Sequence, residues 1–351
     1  MPVGTPGGRA TIDDVAAAAG VSRAAVSKVL RGAYGVSDAM QERVKGAIEE
    51  LDYRPRVSAR AMRGSTFTVG VMIPHFGNQF FADVVDGAMA ELRETSYQLI
   101  LAPVDADHRR ALEALYDRQV DGIVAISPLV APDWLAALAR KVPVVELGRH
   151  DRSDRYDTIV GDDAAGTALV MDHLLARGHR RVAHLTHIDG VRQSLGSTPH
   201  GIRRSGYEQA MTAAGLAGEI AVVEGRFEEE AAWRAMGVAL DGGLAPTAVF
   251  AGNDDAALGV LRAIAERGLS TTDISVAGYD DARLASHPAI RLTSVNQDGR
   301  EMGRRSAALL IERIGGRAEP VHEVLAPRLV VRDSTGRSAG EPADRPERTE
   351  T

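Results

Sequence analysis

Cysteine is absent from the 351 residues, which removes disulfides, thiolate metal sites and cysteine nucleophiles together. No apolar run approaches the roughly 18 residues that span a bilayer, and no basic stretch leads into an apolar one near the N-terminus. A cytoplasmic protein with no membrane partner is expected. Enzyme signatures are missing as well: there is no G-x-G-x-x-G after a strand, no Walker loop, no G-x-S-x-G elbow and no H-E-x-x-H. What remains is an ordinary globular composition, 44% hydrophobic and 25% charged, long enough for two or three domains.

The net charge of −7 argues against a nucleic-acid partner only if it is spread evenly. It is not. Of 41 Lys/Arg and 48 Asp/Glu, the first 65 residues carry ten and seven, a balance of +3, which leaves −10 for the rest. Such asymmetry hints at a nucleic-acid-binding module, although a solvated helical surface would give the same count.

Within that segment MPVGTPGGRA is Gly/Pro-rich and aperiodic, and disorder is expected over 1–10. Thr11 ahead of Asp13 and Asp14 reads as a helix N-cap, Val15, Ala16 and Ala19 share one face, and Gly20 ends the helix. Ser22 caps a second helix in which Val26, Val29 and Leu30 point inward while Arg23, Ala24, Ser27, Lys28 and Arg31 do not. A third helix from near Ser37 buries Val44, Ala47, Ile48 and Leu51. Two short helices joined by a tight turn, the second basic outside, form a helix-turn-helix pattern over 11–54. RVSARAMRGS then follows Pro55; it is too short for a stable helix alone, and serves as a linker over 55–65 or as a segment that folds on a partner.

T-I-D-D-V-A-A-A-A-G-V-S-R-A-A-V-S-K-V-L-R-G and V-S-D-A-M-Q-E-R-V-K-G-A-I-E-E-L-D-Y-R-P closely resemble the headpiece of the LacI-type repressor family. The resemblance implies that Arg23, Ala24 and Lys28 face bases in the major groove, with Ser27 near base or phosphate and Arg31 beside them. It also implies a hinge helix in which Met62 is a minor-groove wedge, flanked by Ala59, Arg60, Arg56 and Arg63. The family usually has Leu at the wedge, and commonly Asn where this chain has Arg31 and Arg56.

From Thr68 onward short apolar runs (TVGVMI, YQLILA, DGIVAI, VPVVEL, then RVAHLT, IAVV, TAVFAG, ISVAG) alternate with amphipathic helical stretches. This order implies parallel sheets covered on both faces, an α/β architecture of two doubly wound lobes divided near 156–166. His173, His179, His184 and His187 are close in sequence, but without thiolates or an i, i+4 pair they read better as solvated helix-end and strand-edge residues than as a metal site, and no cofactor is expected.

The body also resembles that family's effector-binding core, through N-Q-F-F-A-D-V-V-D-G-A, D-D-A-A-G-T-A-L-V-M-D-H-L-L-A-R-G-H-R-R-V-A-H-L, R-R-S-G-Y, F-A-G-N-D-D-A-A-L-G-V-L-R-A-I, I-S-V-A-G-Y-D-D and P-R-L-V-V-R-D-S-T. The resemblance implies a core over 66–335 similar to periplasmic sugar-binding proteins, one lobe from 66–160 with about 292–321, the other from 161–291 with about 322–335, followed by a disordered tail over 336–351. Around the ligand it implies Phe80, Phe81 and Phe227, with Arg203, Asn253, Asp280 and Gln297 as polar contacts. Aromatic faces suit the C–H side of a pyranose, and carboxylate, guanidinium and amide fix hydroxyl directions. Each has a plainer reading: one of Phe80 and Phe81 packs in the core, and Asp280 and Asp281 cap the turn after a strand. The functional expectation is a non-enzymatic homodimeric repressor, dimer or higher, on a pseudo-palindromic double-stranded DNA operator, controlled by a small sugar. The competing expectation is a cytosolic sugar-binding protein whose N-terminus does not read DNA.

Overall fold

The computed structural model describes residues 10–30, 34–53, 65–104, 107–187, 198–226 and 228–338. The chain divides into two compact units, Met1–Thr66 and Phe67–Thr351.

The first unit holds α1 (Ile12–Ala19), α2 (Arg23–Leu30) and α3 (Asp38–Glu50). Thr11 and Asp14 form a reciprocal capping box at the start of α1, and Gly20, at φ 63°, closes it. Val15, Val26 and Val44 are fully buried and, with Ala16, Ala19, Ala47 and Tyr53, make a small core on which Val29, Leu30, Ile48 and Leu51 pack. Ala10, expected in a disordered stretch, also packs against it.

The second unit contains two six-stranded sheets. β1 (Thr68–Ile73), α4 (Gln79–Leu92), β2 (Gln98–Pro103), α5 (His108–Asp117), β3 (Gly122–Ile126), α6 (Pro132–Ala139), β4 (Val144–Leu147) and β5 (Asp157–Gly161) build the first lobe. After α7 (Asp163–Ala176) come β6 (Val182–His187), α8 (Pro199–Ala213), β7 (Ala221–Gly225), α9 (Glu229–Asp241), β8 (Ala248–Ala251), α10 (Asp254–Ala265), β9 (Ser275–Tyr279) and β10 (Thr293–Asn296). The chain then returns through α11 (Gly299–Ile314) and β11 (His322–Leu325) to the first sheet and ends the second with β12 (Arg328–Val330). The strand orders are β11-β5-β4-β3-β1-β2 and β12-β10-β9-β8-β6-β7. All pairings are parallel except β10 with β12.

The run 2-1-3-4-5 therefore occurs twice, and the chain crosses between lobes after β5, after β10 and between β11 and β12. This corrects the expected boundaries: β10 belongs to the second sheet, and β11, expected in the second lobe, belongs to the first. Backbone sterics set the packing of α4 on α11, where a Cβ at Gly303 would lie 1.8 Å from the Val84 carbonyl oxygen. Only glycine allows so close an approach. β11 is held by a buried charge, since Asp157 accepts from Arg313 (3.0 Å) and Arg317 (2.5 Å) and from the Val321 amide (2.9 Å).

Two expectations fail near the C-terminus. Gly336 and Ser338, assigned to a disordered tail, are bonded: the Gly336 carbonyl accepts from His179 Nε2 (3.2 Å) and the Ser338 amide donates to the Arg177 carbonyl (2.9 Å). The histidines are not solvated either. His179 and His184 are buried, His173 bonds to Thr335, and His184 stacks on Phe250 at 4.6 Å while its Nδ1–H donates to the Phe250 carbonyl. Among the described residues no cluster of three His, Asp or Glu could hold a metal.

Burial pushes His173 and His184 down to about 4 and His179 below its usual range. Between those values and the unfolded pKa near 6.5 these sites bind more protons in the unfolded chain, so their contribution to stability is whole above pH 6.5 and is lost as pH drops toward 4. Between pH 7 and pH 5 the histidine share of the urea midpoint slopes downward, while buried carboxyls with raised values, Asp255 and Asp280 among them, act in the opposite sense. His184→Phe, which removes one such proton site while keeping a ring against Phe250, should flatten that slope.

Candidate functional site

In the first unit α2 presents one outward face. Arg23, Ala24 and Lys28 are exposed and Ser27 is partly buried, and the Ser22 hydroxyl accepts from the Ala25 amide at 3.2 Å, leaving the helix N-terminus outward. Arg23 lies 3.8 Å from Asp13 of α1, an ion pair loose enough to yield to a phosphate. Arg31, Arg56, Ala59, Arg60, Met62 and Arg63 lie outside the described residues.

In the second unit a cavity of about 540 Å³ lies between the lobes. Both sheets aim their carboxyl strand ends at it, where ligands bind in open doubly wound sheets because the strand order reverses there. Phe80, Phe81, Arg203, Asn253, Asp280 and Gln297 all line it; Phe227 lies outside the described residues. Phe80 is buried and shares the first-lobe core, while Phe81 is half-buried and meets it edge-on at 5.6 Å.

Arg203, at the start of α8, is buried and fixed from three sides. Its Nε donates to Asp163 Oδ1 (2.7 Å), Nη1 donates to the Gly252 carbonyl (2.6 Å), and the guanidinium lies 3.5 Å over the Tyr279 ring. The other carboxylate oxygen of Asp163 bonds His150 Nε2 of the first lobe at 2.8 Å. Burial pushes Asp163 up, but Arg203 and His150 outweigh it and hold the carboxyl below its usual range.

Asp280 follows β9 with φ 108°, and Asp281 with φ 51°. Left-handed backbone at consecutive non-glycine residues stores strain that only surrounding structure can hold. The two acids divide the work. Asp281 is structural: it accepts from Arg332 (2.6 Å) and Asn296 (2.8 Å). Asp280 faces the cavity and accepts from Gln297 Nε2 at 2.6 Å. Burial raises its carboxyl to about 7, with Arg203 and the Gln297 and Asn78 amides pulling it back. Beneath the turn, buried Asp254 accepts from the Ser294 hydroxyl (2.6 Å) and the Ala282 amide (2.7 Å). Asn253 spends its carboxamide oxygen capping α10, on the Ala256 amide at 2.8 Å.

Residues 11–56 match the model for bacterial regulatory proteins of the lacI family, and residues 171–335 match the periplasmic binding protein-like domain. The HTH-type transcriptional repressor PurR of Vibrio atlanticus is 33% identical over 314 residues, covering 87% of this chain and 92% of that relative. The chain belongs to the lacI family. The ribose operon repressor of Escherichia coli is 34% identical over 313 residues, covering 87% of this chain and 93% of the relative. The crystal structure of the lac repressor dimer bound to operator and the anti-inducer ONPF aligns with a TM-score of 0.78 at 29% identity, over 94% of this chain and 100% of that one.

Membership of the lacI family makes the chain a transcriptional regulator, and nothing favours a free-standing sugar-binding protein. Its cavity also contains residues that sequence reasoning left unassigned, Asn78, Asp163, Arg149, His75, His108 and His200, and His187, which was expected as a solvated strand-edge residue. Asp163 was within reach, since D-D-A-A-G-T opens a helix straight after a strand. His75, His108 and His200 gave no signal, because nothing in their spacing marks them as cavity residues.

A folded pKa near 7 against an unfolded value near 4 means that Asp280 opposes folding increasingly as pH rises through that window. Asp280→Asn should therefore raise the melting temperature at pH 8 and leave it nearly unchanged at pH 4, as scanning calorimetry can check.

Proposed function

We propose that this lacI-family regulator is a repressor that reads a pseudo-palindromic DNA operator as a homodimer and is gated by a neutral sugar in the interlobe cleft. The observation that carries this reading is the union, in one chain, of a helix-turn-helix with an exposed basic second helix and a cleft whose charges are already matched. Each lining arginine has a carboxylate neighbour: Arg149 with Asp151 at 2.8 Å, Arg203 with Asp163 at 2.7 Å, and Arg226 with Glu228 at 3.9 Å. A phosphorylated ligand would need cations to spare, whereas a polyol needs the fixed donors and acceptors that these pairs orient.

In this reading Arg23 and Lys28 contact bases, Ala24 touches a thymine methyl and Ser27 reaches base or phosphate. Arg31, Arg56, Arg60 and Arg63 add phosphate contacts, and Ala59 and Met62 enter the minor groove as the wedge. In the cleft Phe80, Phe81 and Phe227 cover the apolar side of the sugar, and Arg203, Asn253, Asp280 and Gln297 bind its hydroxyls. Two-fold protein symmetry requires matching operator half-sites. The cleft groups bind and orient ligand and perform no reaction, in keeping with relatives that are named repressors. A cytoplasmic setting follows from a DNA target; among the described residues no helix is long and apolar enough to cross a membrane.

Fluorescence anisotropy on DNA selected from genomic fragments tests the DNA half of the reading. The full chain should bind, and a chain beginning at Phe67 should not. Lys28→Ala should relax base preference at one position by roughly 1–3 kcal/mol, whereas Arg63→Ala should weaken all sequences evenly and flatten the salt dependence. Equal binding by the full and shortened chains would exclude a DNA-reading headpiece.

A further inference from the structure

The cleft is longer than one sugar ring. On the first lobe its lining residues come from five neighbouring strand ends: Gly161 at the end of β5, Arg149 after β4, Ser127 after β3, His75 after β1 and His108 beyond β2. The second lobe repeats this, with Gln297 after β10, Asp280 after β9, Asn253 after β8, His187 at the end of β6 and Arg226 after β7. Five strand ends, at about 4.8 Å between neighbours, make a wall of roughly 19 Å on each side.

The polar groups assigned to the sugar occupy one part of this length. Gln297, Asp280 and Asn253 lie at the β10, β9 and β8 ends, Arg203 is tied to the carbonyl of Gly252 beside β8, and Phe80 packs against Gly299 just past β10. The outer part, at the β1, β2, β6 and β7 ends, has its own polar set. His75 Nε2 lies 3.9 Å from Glu228 across the lobes, and His187 Nδ1 meets the Gly225 carbonyl at 3.3 Å. Val104, His108, Pro199 and Arg226 complete it. At interior packing a hexose fills roughly a third of about 540 Å³ and a disaccharide roughly two thirds.

We propose that the cleft is built for a two-ring saccharide, with one ring against Phe80, Arg203, Asn253 and Asp280 and the second in the outer section, where His108, His187 and Arg226 read its hydroxyls. This inference rests on the effector reading above and adds the size of the ligand and the residues that set it. The outer imidazoles suit hydroxyls, because an imidazole can offer both a donor and an acceptor, and burial and Arg203 push His200, where the sections meet, well below its usual range.

The test is isothermal titration of the full chain with disaccharides (cellobiose, maltose, lactose, xylobiose), the monosaccharides glucose, galactose, xylose and ribose, and adenosine. At least one disaccharide should bind ten-fold or more tightly than either of its constituent sugars. Arg226→Ala and His108→Ala, both near the cleft rim, should weaken that disaccharide by ten-fold or more and leave monosaccharide binding within two-fold. Asp280→Asn should weaken both classes. A monosaccharide that binds as tightly as every disaccharide, or rim variants that weaken both classes equally, would overturn the two-ring assignment and leave the effector reading standing. Binding of adenosine alone would overturn the saccharide assignment. No binding by any compound, with DNA affinity indifferent to all of them, would overturn both readings.

Discussion

The geometry of the cleft turns on one carboxylate. Asp163 begins α7 just after the chain first passes from one lobe to the other, and its two oxygens bond His150 on the first lobe and Arg203 on the second. Removing such charges from water costs several kcal/mol per ion, and the pair survives only because its geometry is good and its remaining donors are used. Gly252 and the Tyr279 ring complete the guanidinium's environment. The consequence is rigidity: the Arg203 guanidinium has little freedom left to lose, so in the proposed effector-binding role a hydrogen bond from it to a hydroxyl would cost little side-chain entropy.

Around this pair the cleft is lined with backbone that folding alone would not choose. Ser127, Asp280, Asp281 and Asp298 have positive φ at or beside the strand ends that face the cavity. Arg332, Asn296, Ser294 and Asp254 hold the turn after β9 in place; Asn296 and Ser294 come from the next strand, β10, and Arg332 and Asp254 from segments further away in sequence. The C-terminal strand β12 and the residues after it therefore brace the ligand site without touching it. A stiff rim of this kind keeps donors at fixed angles in the empty protein, which is what discrimination between sugar epimers requires.

The sequence made the repeated strand-helix alternation legible, because buried parallel strands such as TVGVMI and DGIVAI are continuous apolar runs. The headpiece was legible for another reason: caps and punctuation at Thr11, Gly20 and Ser22 act locally, and α1 to α3 follow them. β10, β11 and β12 are three or four residues long (TSVN, HEVL, RLV) and carry no run that periodicity can detect. Their sheet membership is decided by pairing with strands more than a hundred residues away in the case of β5 with β11, which is why the lobe boundaries were misplaced. The buried histidines are a similar case. His184 sits in a strand buried on both faces, and its burial depends on Phe250 and Tyr207 arriving from elsewhere.

Control by a ligand requires more than a good fit. To move a two-state equilibrium from 1:99 to 99:1, the ligand must favour one state by about 5.5 kcal/mol. A neutral hydrogen bond contributes a net ~1 kcal/mol, so roughly five contacts must exist in one lobe arrangement and be lost in the other. Contacts confined to one lobe move with that lobe and contribute nothing to the difference. The cleft meets this requirement by interleaving its groups: Asn78 and Phe81 face Arg203, Asn253 and Asp280 from the opposite lobe. Across the cleft the lobes are joined by His150 with Asp163, by the Asn78 amide with Asp280 and by the looser His75 with Glu228. In the proposed reading a ligand that spans the cleft replaces contacts of this kind with its own, and the contacts it makes to both lobes are the ones that can separate the two states.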